Sequence, residues 1–343
     1  MRFLTICLLF CICSVLSYIE YTMNEELEYS SGKFIEWIQS MNSPALRNIF
    51  ILIGDVTSIC FLIASGTLYL VYSREDGTLC VISAYLGAAI SGILKSLFTR
   101  PRPLWKYQNI EGMACPKDWG SPSGHSMAAG TPMIMMFILL RRKGATNSQL
   151  ILMLICIGVT AFDRLYIGAH FYFQVILGYS YALLIASVLI YLYDKGAFSS
   201  DWILVIKTHI LMLGIIILSY VLFVIKQPLW NDFWEKNFKD KCEGSINSEK
   251  AMNKNLSEGF LGFVVAGFIM GKYLLGTHGS MSEFKLLSFG LFFISVWFSM
   301  LVDKLVEQNL FCLGLFRYLL GIFMSAELPL LLSSINKIKH KFG

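Results

Sequence analysis

The chain of 343 residues is 56% hydrophobic, has only 15% charged residues and carries a formal net charge of +5. Soluble domains sit nearer half apolar with their apolar residues dispersed. Here they fall in blocks long enough to cross a bilayer, which takes about 20 residues as a helix. The positive charge lies mostly in loops between the blocks. That is the pattern of juxtamembrane anchoring and argues against a nucleic-acid partner.

In chain order, residues 2–19 open with Arg2, an apolar run through Leu16, and Ser17. This reads as a signal peptide or as a retained signal anchor. Nine further apolar blocks follow, at 48–73, 77–99, 126–140, 149–166, 170–193, 202–226, 257–276, 284–303 and 308–334. The expected fold is all-α, a polytopic transmembrane helical bundle of about nine spans after the N-terminal segment. Residues 1–19 are the targeting segment and 20–343 a single membrane-embedded domain, with a motif core at about 77–193. No internal repeat or low-complexity linker divides it.

Short cytoplasmic loops favour Lys and Arg. Arg141-Arg142-Lys143 and the tail lysines Lys337, Lys339 and Lys341 mark one face. Residues 20–47, 100–125, 164–170 and 227–256 then share the other. The 227–256 loop is the weakest step, because it carries lysines at 236, 239, 241, 250 and 254.

Three polar segments interrupt the apolar sequence at that second face: Lys95-x6-Arg102-Pro103, Pro122-Ser123-Gly124-His125, and Arg164-x5-His170 followed by Gln174. Lys95, Arg102 and Arg164 supply three cations around one point, and the planar fork of arginine matches phosphate oxygens two at a time. Ser123 is placed to cap a helix whose free N–H groups would face an anion. Gly124 lets the backbone approach closely. Three clustered cations repel one another, so an anionic ligand is the expected relief. Two histidines suit two-step phosphoryl transfer: His170 as nucleophile, and His125 as the acid that protonates the leaving oxygen and then the base that activates water. The scheme requires no metal or other cofactor.

As a set, these segments resemble the signature of the type-2 phosphatidic acid phosphatase superfamily, K-x6-R-P, P-S-G-H and S-R-x5-H-x3-D. The resemblance implies that His170 and His125 are catalytic and that Lys95, Arg102, Ser123, Gly124 and Arg164 hold phosphate. Asp163 stands where the signature has Ser, and Gln174 where it has Asp. A Gln carbonyl can still accept the far ring N–H of His170 and orient it, without adding charge. Glucose-6-phosphatases and dolichyl-diphosphatases share that Gln. Residues 120–127, Gly-Ser-Pro-Ser-Gly-His-Ser-Met, and His170-Phe171-x2-Gln174-Val175 are most similar to glucose-6-phosphatases.

That resemblance implies hydrolysis of glucose 6-phosphate at the lumenal face of the endoplasmic reticulum membrane, with membrane lipid around it and a substrate transporter as a candidate partner. A lipid phosphate or dolichyl-type diphosphate phosphatase is the alternative within the enzyme class. A non-enzymatic relative with a relict site is the alternative outside it. Lys339 and Lys341 resemble a reticular retrieval signal, though a basic tail obeying charge bias would look the same. Among nine cysteines, only Cys115 and Cys242 fall in loops on the second face, where a disulfide is the expectation and free loop thiols the alternative.

Overall fold

The structure is a computed structural model describing residues 3–41, 43–198, 202–226, 230–275 and 310–327. The helices run α1 Phe3–Thr22, α2 Asn24–Ser40, α3 Pro44–Thr67, α4 Arg74–Phe98, α5 Pro103–Lys106, α6 Gly124–Ala128, α7 Gly130–Arg142, α8 Asn147–Tyr166, α9 Tyr172–Asp194, α10 Trp202–Lys226, α11 Asp232–Lys241, α12 Ser248–Gly259, α13 Gly262–Leu275 and α14 Leu310–Ile322. Single π-helical turns, Leu68–Tyr72 and Phe323–Glu327, extend α3 and α14. No strand occurs among the described residues, in keeping with an all-α bundle.

The helix starts follow local chemistry. Ser43 accepts the Leu46 N–H with Pro44 in the first turn of α3. Ser73 accepts the Asp76 N–H, and Glu75 and Asp76 place negative charge at the positive end of α4. The block at 126–140 is divided into α6 and α7. Pro132 lacks the N–H that would bond the carbonyl four residues earlier, at Ala128, and α6 ends there.

Among the described residues, five helices are long and apolar enough to cross a membrane: α1, α4 with its continuation to Lys106, α8, α9 and α10. The block at 257–276 forms a shorter helix, α13, of 14 residues. The block at 284–303 and the tail lysines lie outside the described residues. Nine spans are therefore not recovered as nine long helices among the described residues. The 227–256 connection, expected as a loop, folds largely into α11 and α12.

At the centre is α4, buried on nearly all sides and packed against α3, α6, α7, α9, α10, α12 and α13. Leu79, Cys80, Val81 and Ile82 share one core with Ile185, Ile190, Met212, Val264 and Phe268. Helix α1 runs along α9, with Phe3 beside Tyr191 and the Ser17 and Tyr181 hydroxyls 2.9 Å apart. One end of the bundle is tied by Arg142–Asp194 and Lys143–Asp76 ion pairs. The other end gathers α2, the 99–123 connection, the 167–171 turn, α11 and α12, the grouping expected from charge bias.

At this second end a compact cap forms. Trp105 and Trp119 are fully buried with Leu104, Phe238, Ile246 and Ala251, and burial of each such large side chain contributes about 2–3 kcal/mol. Asn237 donates to the Trp105 carbonyl at 2.9 Å and Lys241 to that of Leu104 at 3.0 Å. Cys115 and Cys242 are joined, with Cα atoms 5.9 Å apart. The cap pins the second half of the chain across the connection that leads to Pro122-Ser123-Gly124-His125.

Candidate active site

Beneath the cap, a cavity of about 350 Å³ is lined by Lys95, Arg102, Gly124, His125, Arg164 and His170. These six come from four segments. Lys95 sits in the last turn of α4, which ends where Thr99 turns left-handed at φ 47°. Arg102 precedes Pro103 at the start of α5. His125 lies in α6. Arg164 and His170 bracket the turn from α8 to α9.

That turn is shaped by its own backbone. The N–H groups of Ala169 and His170 both donate to the Arg164 carbonyl, at 3.1 and 3.2 Å. Gly168 has φ 71°, and a Cβ there would stand 2.5 Å from the Glu111 carbonyl oxygen. Only glycine meets both conditions. Helix α2 braces the turn from outside: Gln39 donates to the Tyr166 carbonyl at 2.8 Å, and Ser31 Oγ accepts the Tyr172 N–H at 2.8 Å.

The His170 ring is held from both sides. Its Nδ1 lies 2.8 Å from the Gly120 carbonyl and 3.2 Å from Gln174 Oε1, both acceptors, so Nδ1 carries the proton. Nε2 is then the unprotonated nitrogen, and Arg102 Nη1 donates to it at 3.0 Å. Burial first, and the Arg102 charge second, hold this imidazole well below its usual pKa range, so it is neutral at neutral pH. The sequence reading gave the Nδ1 contact to Gln174 alone. The backbone carbonyl of Gly120 is the nearer acceptor, and Gln174 also braces the loop by donating to the Pro101 carbonyl at 3.0 Å.

All five N–H donors of Arg102 are engaged. Nε reaches the Asp118 carbonyl at 2.7 Å, and Nη1 reaches the Ala169 carbonyl at 2.9 Å as well as His170. Nη2 reaches Asp118 Oδ2 at 2.7 Å and the Trp119 carbonyl at 3.3 Å. Lys95 pairs with the same Asp118 carboxylate and with Glu258, whose two oxygens lie 2.8 and 2.7 Å from Nζ. Arg164 pairs with its neighbour Asp163, Nε to Oδ2 at 2.5 Å.

The expectation of three mutually repelling cations is thereby corrected: three carboxylates, Asp118, Asp163 and Glu258, neutralise them in place. Buried charge demands such pairing. Burial would raise Asp118, but Arg102 and Lys95 outweigh it and hold the carboxyl far below the usual range. His125 is half-buried at the cavity wall. Arg164 first and burial second push it well below the ordinary imidazole range. Ser123 caps α6 as expected, accepting the Ser126 N–H at 3.3 Å. It is fully buried, and its own N–H is donated to the Gln174 carbonyl at 2.9 Å. Its contribution is to place Gly124 and His125 on the cavity wall.

Sequence reasoning missed Asp118, Glu258, the Gly120 carbonyl and Gly54. A Cβ at Gly54 in α3 would stand 1.9 Å from Arg164 Nη2, so the guanidinium passes through space that only glycine leaves open. The one available signal was Glu258, a carboxylate at the head of the apolar block 257–276, where ionisable groups are functional candidates by default.

The family model of the PAP2 superfamily matches residues 77–197. Lys95, Arg102, Ser123, Gly124, His125, Arg164, His170 and Gln174 all fall within that match. Asp118 and Asp163 do too, whereas Glu258 lies outside. A solved structure described as the first transmembrane PAP2 type phosphatidylglycerolphosphate phosphatase from Bacillus subtilis is similar to the chain at 19% identity, over 55% of this chain and 96% of that one, with a TM-score of 0.45. No curated protein matches.

Proposed function

We propose that the chain is a membrane phosphatase that hydrolyses a phosphomonoester through a phosphohistidine on His170. The observation that carries this reading is the His170 ring: Nδ1–H held by the Gly120 carbonyl, and the Nε2 lone pair held by an Arg102 N–H in the wall of a cavity that Lys95 and Arg164 also line. A neutral, oriented imidazole beside two further cations is what in-line attack on phosphorus needs.

In the first step Nε2 gives up the Arg102 hydrogen bond and forms a bond to phosphorus as the ester P–O bond breaks. The released Arg102 N–H is then free to take a phosphoryl oxygen, with Lys95 and Arg164 stabilising the others. His125 donates its proton to the leaving oxygen. It must carry that proton despite Arg164. The negative charge of a bound phosphoryl group offsets the guanidinium and restores the protonated form. In the second step His125 takes a proton from water, the hydroxide oxygen bonds to phosphorus, the P–N bond breaks and inorganic phosphate leaves.

For the substrate, we take glucose 6-phosphate, acted on from the lumenal side of the endoplasmic reticulum membrane. The similarity of residues 120–127 and 170–175 to glucose-6-phosphatases supports it. A lipid or isoprenoid phosphate is the second reading, favoured by Ile51 and Leu261, apolar side chains on the cavity wall. A phosphate-release panel on purified protein separates them, using glucose 6-phosphate, phosphatidate, sphingosine phosphate and dolichyl diphosphate. A kcat/KM for glucose 6-phosphate below that for any lipid would overturn the sugar reading. No release from any of the four would leave a relict site.

A further inference from the structure

Glu258 lies near the end of α12, outside the matched domain, yet lines the same cavity as both histidines. Its position is set by α4. Ser91 and Lys95 are four residues apart on that helix and so share a face. Ser91 Oγ donates to Glu258 Oε2 at 3.0 Å, and Lys95 Nζ reaches both carboxylate oxygens. Gly92 sits between them, and a Cβ there would stand 2.5 Å from the Asn255 carbonyl and 2.8 Å from the Gly259 nitrogen. Helix α12 therefore lies backbone to backbone on α4, and Glu258 is delivered to the end of Lys95.

An ammonium has three N–H donors. Those of Lys95 are taken by Asp118 and by the two oxygens of Glu258. A phosphoryl group can recruit Lys95 only by displacing one of these acids. Asp118 is also held by Arg102 and its side chain is 9% exposed, whereas that of Glu258 is 25% exposed. Both acids line the cavity, and Glu258 is the more exposed and the one that Arg102 does not hold.

We propose that Glu258 is a resident counter-ion of the anion site: it holds the Lys95 ammonium while the cavity is empty and surrenders it to an entering phosphoryl group. On this view a residue from the second half of the chain sets how tightly phosphate is held and how fast it leaves. The idea rests on the reading of the cavity as a phosphate site. It differs in sign from a scaffold role, in which Glu258 merely positions Lys95.

The test is calorimetric titration of the purified full chain with inorganic orthophosphate, which needs no turnover. Glu258→Gln keeps the size of the side chain and an acceptor for Ser91 but removes the competing charge. It should bind orthophosphate roughly two- to fivefold more tightly than wild type, a range set by a partly exposed unit charge. In turnover assays KM and kcat should fall together, because phosphate leaves more slowly. Ser91→Ala, a smaller change that loosens the carboxylate, should tighten binding by about twofold and serves if the Gln variant does not fold. Equal or weaker orthophosphate binding by the folded variants makes Glu258 a scaffold and overturns the proposal. If wild type itself does not bind orthophosphate, and Arg102→Ala is indistinguishable from it, the phosphate reading fails and the counter-ion role fails with it. Wild-type binding that Arg102→Ala abolishes, with no gain in Glu258→Gln, refutes the counter-ion role alone.

Discussion

Replacing Arg102 with lysine keeps the charge and removes the geometry. The guanidinium makes five hydrogen bonds, to the Asp118, Ala169 and Trp119 carbonyls, Asp118 Oδ2 and His170 Nε2, and it is 2% exposed. An ammonium has three donors on one atom, so at least two buried acceptors lose their partner. Each costs about 1–3 kcal/mol, which puts the total near 2–6 kcal/mol, shared between folding and catalysis. The His170 contact is among the first lost, because no single nitrogen can reach Asp118 on one side and Nε2 on the other as the fork does. Loss of an oriented donor at the reacting centre costs about 2–4 kcal/mol of transition-state stabilisation, or roughly 30- to 1,000-fold in kcat/KM. The assay is phosphate release under kcat/KM conditions, with thermal melting of the same preparation to separate stability from chemistry. A folded Lys variant within about threefold of wild type would show that the fork is an anchor and that charge alone serves the site.

Four further outcomes are expected. His170→Ala should abolish both turnover and phosphoenzyme trapping, whereas His125→Ala should still form some acid-labile phosphoenzyme from a substrate with a good leaving group; trapping on the His170 variant would sink the nucleophile assignment. Gln174→Ala should reduce kcat/KM by only about tenfold, one hydrogen bond's worth, because the Gly120 carbonyl still holds Nδ1; a loss as complete as that of His170→Ala would make Gln174 the essential partner. Gly54→Ala should drive the Arg164 guanidinium from its place and lower kcat/KM by about ten- to a hundredfold, since displacement of about 1 Å at a reacting centre costs that much; wild-type kinetics would mean that the arginine has another route. Cys115→Ser should lower stability by about 2–5 kcal/mol, read as a fall in melting temperature equal to that caused by reductant on wild type; no shift in either experiment means that the bridge does not constrain the folded chain.

Much of the site was legible because its spacing is local. Six residues between Lys95 and Arg102, and five between Arg164 and His170, each span one helix end and one turn, so linear order places the side chains. Ser123 as a helix cap follows from one residue and its flanks, and the Cys115–Cys242 pair from elimination among the cysteines. The span count was less legible. Pro132 divides one block into α6 and α7, and the polar connection at 227–256 folds into two helices that its charge disguised as loop.

The sequence by itself determined a polytopic helical bundle, the face on which the polar segments meet, and the identity of the cations and histidines around the cavity. Tertiary structure alone decided which carboxylates pair with those cations. Glu258 reaches Lys95 across 163 residues because Gly92 lets α12 lie on α4. Asp118 serves Lys95 and Arg102 together. The Gly120 carbonyl, invisible as a side chain, is the nearer acceptor for His170. Such partners are fixed by a through-space requirement that buried charge be paired and buried donors be satisfied. Which residues meet that requirement depends on how helices pack, and packing leaves no periodic trace along the chain.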